Sequence, residues 1–213
     1  MKISIPKEKI PELPIAEFFG NIYVIDSMSK MNMAINALRK EAIVGFDSET
    51  RPSFARGQNH KVALIQISTF TDCFLFRVNK IGMPEKLKDF LEDESIIKIG
   101  LSLNNDVLAM QRLADIKPRG FVDLQKMVKE YCIEDLSLQK IYAIIFDKKI
   151  SKSQRLTNWE AMTLTPAQQR YAALDAFACL EIYDWLSRGN FIPEESQYIV
   201  NEEIIDENET EKI

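Results

Sequence analysis

Residues 165–189 read as one long helix with both ends written into the chain. Thr165 suits the N-cap, Pro166 fits the first helical position, where its missing N–H is no loss, and Gln168 completes a capping box. The helical pattern runs through alanine-rich sequence to Ser187 or Arg188, where Gly189 can supply a left-handed terminus. Inside it, Asp175 is flanked by Ala172, Ala173, Leu174, Ala176, Phe177 and Ala178. Aspartate is a poor helix former, and here the setting is apolar. Tyr171, four residues earlier, puts its side chain on the same face one turn away. Either the two form a structural hydrogen bond, or they belong to a site.

Upstream of that helix the pattern alternates between strand and helix. Residues 1–20 hold three prolines and little periodicity, and are expected to form an extended arm. Strands are expected at 22–25, 42–46, 61–68, 73–78 and 96–100, with a turn-like loop at 57–60. Helices are expected at 27–40, in the stretch from Pro84 on, and at 104–114, 123–131 and 136–146. A mostly antiparallel hairpin start followed by alternating strands and helices implies an α/β protein, a sheet with helices on its faces. The expected organisation is the arm at 1–20, one domain at 21–190 and an acidic, flexible tail at 191–213.

The 213 residues carry a net charge of −5, and the imbalance is local. Glu202, Glu203, Asp206, Glu207, Glu209 and Glu211 lie beside one base, Lys212; subtracting these from 32 acids and 27 bases leaves 26 of each. A neutral body excludes the broad basic footprint of a non-specific nucleic-acid binder, so any such contact must be local. Cys73, Cys132 and Cys179 are far apart and in no metal-ligand spacing, and His60 is the only histidine. That argues against a disulfide framework or a zinc site and fits a reducing compartment. No signal-peptide pattern opens the chain, and the longest uninterrupted apolar run, residues 141–146, is far too short for a bilayer. A soluble, cytoplasmic protein with no membrane partner is expected.

Four carboxylates call for an explanation. Asp47 and Glu49 follow the apolar Ile43-Val44-Gly45-Phe46, and strand alternation puts both on one face with Ser48 on the other. Side by side they repel, and each raises the other's pKa unless a cation intervenes. Asp106 follows the strand ending at Gly100, and Asp175 lies in the long helix. Each alone has an ordinary explanation, a solvated strand end for the first pair and a first-turn acid favoured by the helix dipole for Asp106. Together they suggest a site. Oxygen ligands without histidine or cysteine suit Mg²⁺ or Mn²⁺ rather than zinc. Two such ions would neutralise four carboxylates and clamp the attacking and leaving oxygens of a phosphoryl displacement.

Val44-Gly45-Phe46-Asp47-Ser48-Glu49 followed by Lys61-Val62-Ala63-Leu64-Ile65-Gln66-Ile67 resembles the first motif of the DEDD superfamily of 3′–5′ exonucleases. Ile99-Gly100 followed by Asp106 resembles the second, and Tyr171-Ala172-Ala173-Leu174-Asp175-Ala176 the third in its tyrosine-containing form. Leu156-Thr157-Asn158-Trp159-Glu160 and Leu164-Thr165 are similar to a stretch shared by ribonuclease D-like proteins and Werner-type exonuclease domains, the latter closest in appearance. The resemblance covers residues 22–188. It implies a ribonuclease H-like fold, a central mixed sheet flanked by helices. It also implies hydrolysis of a nucleic acid from a free 3′ end, with two Mg²⁺ or Mn²⁺ ions per active site, releasing nucleoside 5′-monophosphates. By matching position, Asp47, Glu49 and Asp175 would hold the ion that binds the attacking water. Asp47 would also touch a second ion supported by Asp106, and Tyr171 would orient the water. Thr50 stands where Werner-type domains commonly have tryptophan, and Ser102 where many superfamily members have asparagine. No region matches a helicase or the helical nucleic-acid-binding domains of ribonuclease D. The sequence leaves the oligomeric state open.

Candidate substrate contacts are Thr50, Leu103, Asn105, Lys152, Arg155 and Trp159. Lys152 and Arg155, with Lys148 and Lys149, read equally as a phosphate grip or as a solvated loop. Trp159 either stacks on a base or packs beneath its loop, the second being the ordinary reading. Arg51, Arg56 and Lys61 either guide the strand or are plain surface charge, and Phe54 is a weaker candidate beside the terminal nucleotide. His60 is expected to be exposed. DNA is the favoured polymer and ribonuclease D-like trimming of RNA the alternative, because discrimination depends on contacts to the 2′-hydroxyl that sequence does not place. A binding module that kept the fold without the chemistry is a second class. A small-molecule phosphatase or kinase is a third, and it lacks a Walker-type glycine loop.

Overall fold

The computed structural model describes residues 1–53 and 60–200. In chain order the elements are β1 (Asn21–Ile25), α1 (Met28–Leu38), β2 (Ile43–Thr50), β3 (Val62–Ser68), β4 (Asp72–Phe76), α2 (Val78–Ile81), α3 (Glu85–Glu92), β5 (Ile97–Gly100), α4 (Asn104–Leu113), β6 (Phe121–Asp123), α5 (Leu124–Glu130), α6 (Leu138–Phe146) and α7 (Pro166–Ser187). The strands form one mixed six-stranded sheet in the order β1-β4-β3-β2-β5-β6. β2, β3 and β4 run antiparallel to their neighbours in that set, while β1 joins β4, β5 joins β2 and β6 joins β5 in parallel.

Both faces of the sheet are covered. On one, Ala63, Leu64, Cys73, Leu75 and Ile99 pack in a core with α6 and α7. On the other, Val44, Phe46, Ile65, Ile67, Phe74 and Phe76 pack with α1, α3 and Met110 of α4. All seven residues of β3 are buried, because a central strand with two covered faces has no solvent side. This leaves Gln66 and Ser68 buried among apolar neighbours.

β2 is longer than its apolar core. It continues through Asp47, Ser48 and Glu49 to Thr50, so the two acids lie within the strand rather than beyond it. Pairing with β3 holds them there: Asp47 faces Gln66 and Glu49 faces Leu64, with a register shift between Glu49 and Thr50. α7 forms as expected. Thr165 Oγ1 accepts from the Gln168 N–H, the Gln168 side chain accepts from the Thr165 N–H, and Gly189 follows at φ +70°. β6 and α2, of three and four residues, are elements that the pattern did not announce.

The arm at 1–20 is stitched to the body. Ile3 bridges both Ile133 and Ile199, and Ile3 and Ile5 are fully buried in the α7-side core. The Ala16 N–H donates to the Lys149 carbonyl. At the other end, Tyr198 donates its hydroxyl to Asp147. The expected acidic run of the tail, 201–213, lies outside the described residues, as do Phe54, Arg56 and most of the loop expected at 57–60. Among the described residues no helix is long and apolar enough to cross a membrane.

Candidate active site

Four elements build the site. β2 contributes Asp47 and Glu49 on the face covered by α7, and α7 packs across β2, β3 and β4. The approach is close because Gly45 has no side chain: a Cβ there would lie 1.9 Å from the Ala176 carbonyl oxygen. Two residues along β2 from Gly45, and one residue before Ala176, stand Asp47 and Asp175. Carboxylate oxygens of Asp47, Glu49 and Asp175 lie within 4.8 Å of one another. Asp175 is 6% exposed, while Asp47 and Glu49 are half-buried at the rim.

α4 brings the fourth acid, which stands outside that tight group of three. Asp106 accepts a hydrogen bond from Ser48 Oγ at 2.5 Å, across the strand from the Asp47–Glu49 face. The turn before α4 is anchored by Asp123 at the end of β6. Its carboxylate accepts from the Ser102, Leu103 and Gln125 N–H groups, at 3.0, 3.0 and 2.9 Å. Ser102 is held left-handed at φ 58° in that turn, a conformation asparagine adopts more readily than serine.

The acids crowd one another. Burial, with the neighbouring Asp175, Glu49 and Asp106 charges, holds the Asp47 carboxyl well above the usual range. Burial and the Asp175 and Asp106 charges push Glu49 up to about 9, opposed by Arg155. Burial raises Asp175 to about 7, against a hydrogen bond from Tyr171 and the Lys152 charge. Asp106 is raised by burial and held down in part by Ser48. Burial and the Asp175 carboxylate push the Tyr171 phenol far up, so this hydroxyl is a hydrogen-bond donor rather than a base.

This crowding makes the stability of the protein depend on pH. Unfolded carboxyls titrate near 4, so between about pH 4 and about pH 9 the folded, metal-free protein keeps protons that the unfolded chain has lost. Stability in EDTA is therefore greatest at the acid end of that window and falls as pH rises through it. The expected result is a thermal midpoint in EDTA that drops from about pH 5 to about pH 9, and a flatter profile in saturating Mn²⁺. A flat EDTA profile would show that the acids are ionised and compensated within the fold.

The remaining candidates separate. Lys152 and Arg155 are exposed on the loop before α7 and near enough to act on Asp175 and Glu49. Thr50 is half-buried at the end of β2, and Asn105 is exposed in the first turn of α4. Leu103 is 6% exposed, its side chain packed under Gly100, so the core covers the surface that a nucleotide contact needs. Trp159 is 0% exposed and belongs to the α7-side core, with its ring 6.0 Å from that of Tyr171. Base stacking on Trp159 is thereby replaced by packing beneath the loop. Arg51 pairs with Glu160 at 3.3 Å, and His60, expected in the open, lies half-buried 3.7 Å from the same carboxylate. Ser48, Asp123 and Gln66 were not singled out from sequence, although Gln66 stands out as the amide in an otherwise apolar run.

A model of the 3′–5′ exonuclease domain matches residues 22–189. The chain belongs to the 3′–5′ exonuclease family. Among similar sequences, the mouse bifunctional 3′–5′ exonuclease/ATP-dependent helicase WRN is 34% identical over 184 residues, covering 82% of this chain and 13% of that protein. The Aedes aegypti exonuclease mut-7 homolog is 26% identical over 195 residues, covering 79% of this chain and 27% of that protein. The exonuclease domain thus spans a small part of these relatives' length. The Aedes aegypti Nibbler EXO domain superposes with a TM-score of 0.73 at 24% identity, over 84% of this chain and 96% of that one. Escherichia coli RNase D superposes with 0.71 at 23% identity, over 79% and 44%. The fold of the exonuclease domain is therefore ribonuclease H-like, in agreement with its mixed sheet and flanking helices.

Proposed function

We propose that this chain hydrolyses the phosphodiester bonds of a nucleic-acid strand stepwise from its free 3′ end and releases nucleoside 5′-monophosphates. The observation that carries the reading is the meeting of Asp47, Glu49 and Asp175 within 4.8 Å, with Tyr171 beside Asp175 one helical turn away. An all-oxygen donor set fits hard divalent cations, Mg²⁺ or Mn²⁺, and the mutual repulsion of the acids is what such charge relieves. Asp47, Glu49 and Asp175 would hold one ion, and Asp47 with Asp106 would support a second. Bound there, the ions supply the Lewis acidity that activates water and the charge that stabilises the leaving 3′ oxygen.

The chain's own groups do the rest. Tyr171, un-ionised, donates a hydrogen bond and orients the attacking water. Lys152 and Arg155 grip phosphate oxygens without reading bases. Ser48 fixes the rotamer of Asp106, and Asp123 fixes the turn from which α4 presents it. Tyr171→Phe is expected to lower kcat by about 10- to 100-fold, less than loss of an acid, because the carboxylates stay in place. A drop as deep as that of an Asp175 variant would give the tyrosine a larger role than orientation.

DNA is the polymer this reading favours, on the likeness to the WRN sequence. RNA is the second reading, favoured by the RNase D structures, one of them described as an exoribonuclease involved in structured RNA processing. The test uses 3′- and 5′-labelled single-stranded and recessed DNA and matched RNA, with Mg²⁺ or Mn²⁺ and an EDTA control. A metal-dependent ladder shortening from the 3′ end supports the reaction, and the faster polymer selects the substrate. Binding without degradation of any of them would leave a catalytically silent module.

A further inference from the structure

Among the described residues, two buried side chains keep polar atoms without a hydrogen-bond partner, and both belong to the surroundings of the carboxylates. One is the Trp159 indole N–H, whose ring lies beside Tyr171. The other is Gln66, 0% exposed, with neither the nitrogen nor the oxygen of its amide paired. A buried amide with no partner is a net cost to folding, and an apolar residue of its shape would avoid it. Its persistence in a strand that otherwise reads Val-Ala-Leu-Ile-Ile-Ser asks for a use.

The register says what lies beside it. On one side Gln66 faces Asp47 directly, and on the other it faces Leu75. Directly opposed residues of an antiparallel pair share a face, with Cβ atoms about 4.5–5.5 Å apart, within reach of a glutamine amide and an aspartate carboxyl. Asp47 is thus the one register partner with a polar side chain. Of the neighbouring acids, Asp106 accepts from Ser48, Asp175 has Tyr171 one turn away, and Glu49 faces Leu64 across the strand pair rather than Gln66. Among the described residues no side chain donates to the Asp47 carboxyl, whose pKa is lowered only by the Ser48 backbone N–H.

We propose that Gln66 is the positioning residue for Asp47: its side-chain N–H₂, unpaired in this structure, turns to donate to the Asp47 carboxylate when a divalent cation is bound and holds that carboxylate in the orientation the cation requires. This rests on the reading of the acidic group as a cation site. Groups behind a metal-binding carboxylate set its orientation, and their loss lowers metal affinity by about 10- to 100-fold.

The test replaces Gln66 with methionine, which keeps length and volume and removes the amide, and in parallel with leucine. Three quantities are measured: the thermal midpoint in EDTA, the Mn²⁺ affinity by calorimetry, and kcat and KM on a single-stranded oligonucleotide. Gln66→Met is expected to leave the EDTA midpoint unchanged or raise it, since an unpaired amide is removed, while Mn²⁺ affinity falls at least about tenfold. kcat should fall with it while KM stays, because the groups that grip the strand are untouched. Gln66→Leu should repeat these signs. A midpoint that falls with Mn²⁺ affinity intact would make the amide a structural element, and wild-type affinity and kcat in both variants would leave it without a role; either overturns the proposal. Failure of the parent protein to bind Mn²⁺ would overturn the cation reading itself and this inference with it.

Discussion

Asp175→Asn is expected to abolish cleavage, with a loss of at least about 10³-fold in kcat, while leaving the fold intact. The two halves of that result have separate causes. The introduced amide would keep a side-chain oxygen able to accept from Tyr171, and the substitution nearly preserves the volume packed against the α7-side core. It also removes a negative charge from a group whose members raise one another's pKa. The metal-free variant should therefore melt no lower than the parent near pH 8, and higher where repulsion between Asp175 and Glu49 is strongest. What is lost is an anionic donor from the most buried of the three converging acids, together with the charge that balances a divalent cation there. The checks are a 3′-end ladder assay and a thermal melt in EDTA. Appreciable residual cleavage in a correctly folded variant would count heavily against the placement of an ion between Asp47, Glu49 and Asp175. A melt far below the parent's would instead make Asp175 a structural partner of Tyr171, the bland alternative that sequence alone left open.

The parts of this molecule that were legible in its sequence are those where a local rule operates. α7 announced itself through Thr165, Pro166, Gln168 and Gly189, because caps act within four residues of each other. The two acids of β2 were placed on one face by alternation, which holds however far the strand runs. What failed did so for reasons of tertiary context. The apolar pattern stopped at Phe46, but β2 continues to Thr50 because β3 supplies hydrogen-bonding partners and α7 provides a cleft for acidic side chains. β6 has three residues, too few to show a period, yet Asp123 at its end organises the turn that carries Asp106. The partnership of Ser48 with Asp106 spans 58 residues of chain. The structure resolves Trp159 into core packing, and Leu103, a candidate nucleotide contact, packs under Gly100 instead.

Gly45→Ala should be the most damaging glycine-to-alanine change among the described residues, and it tests how the two halves of the site are brought together. The added Cβ would stand 1.9 Å from the Ala176 carbonyl oxygen, 2.9 Å from its carbon and 3.1 Å from Leu180 Cβ. The first two are helix backbone, which cannot swing aside as a side chain can. Relief therefore requires α7 to retreat from β2 as a body, opening a contact that runs along β2, β3 and β4. Overpacking of this kind costs about 1–3 kcal/mol and more where backbone must move, so a loss of about 3 kcal/mol is expected from denaturant unfolding. The chemistry should suffer more than the stability. Asp47 is two residues from the substituted position and Asp175 is next to the displaced carbonyl, so a retreat of about 1 Å separates the carboxylates directly. Misplacement on that scale lowers rates by about 100-fold. A folded Gly45→Ala protein should thus show weakened Mn²⁺ binding and slow cleavage with near-normal affinity for a single strand. If the variant matches the parent in both stability and rate, the β2–α7 spacing is set elsewhere, and Gly45 is not what lets the strand acids meet the helix acid.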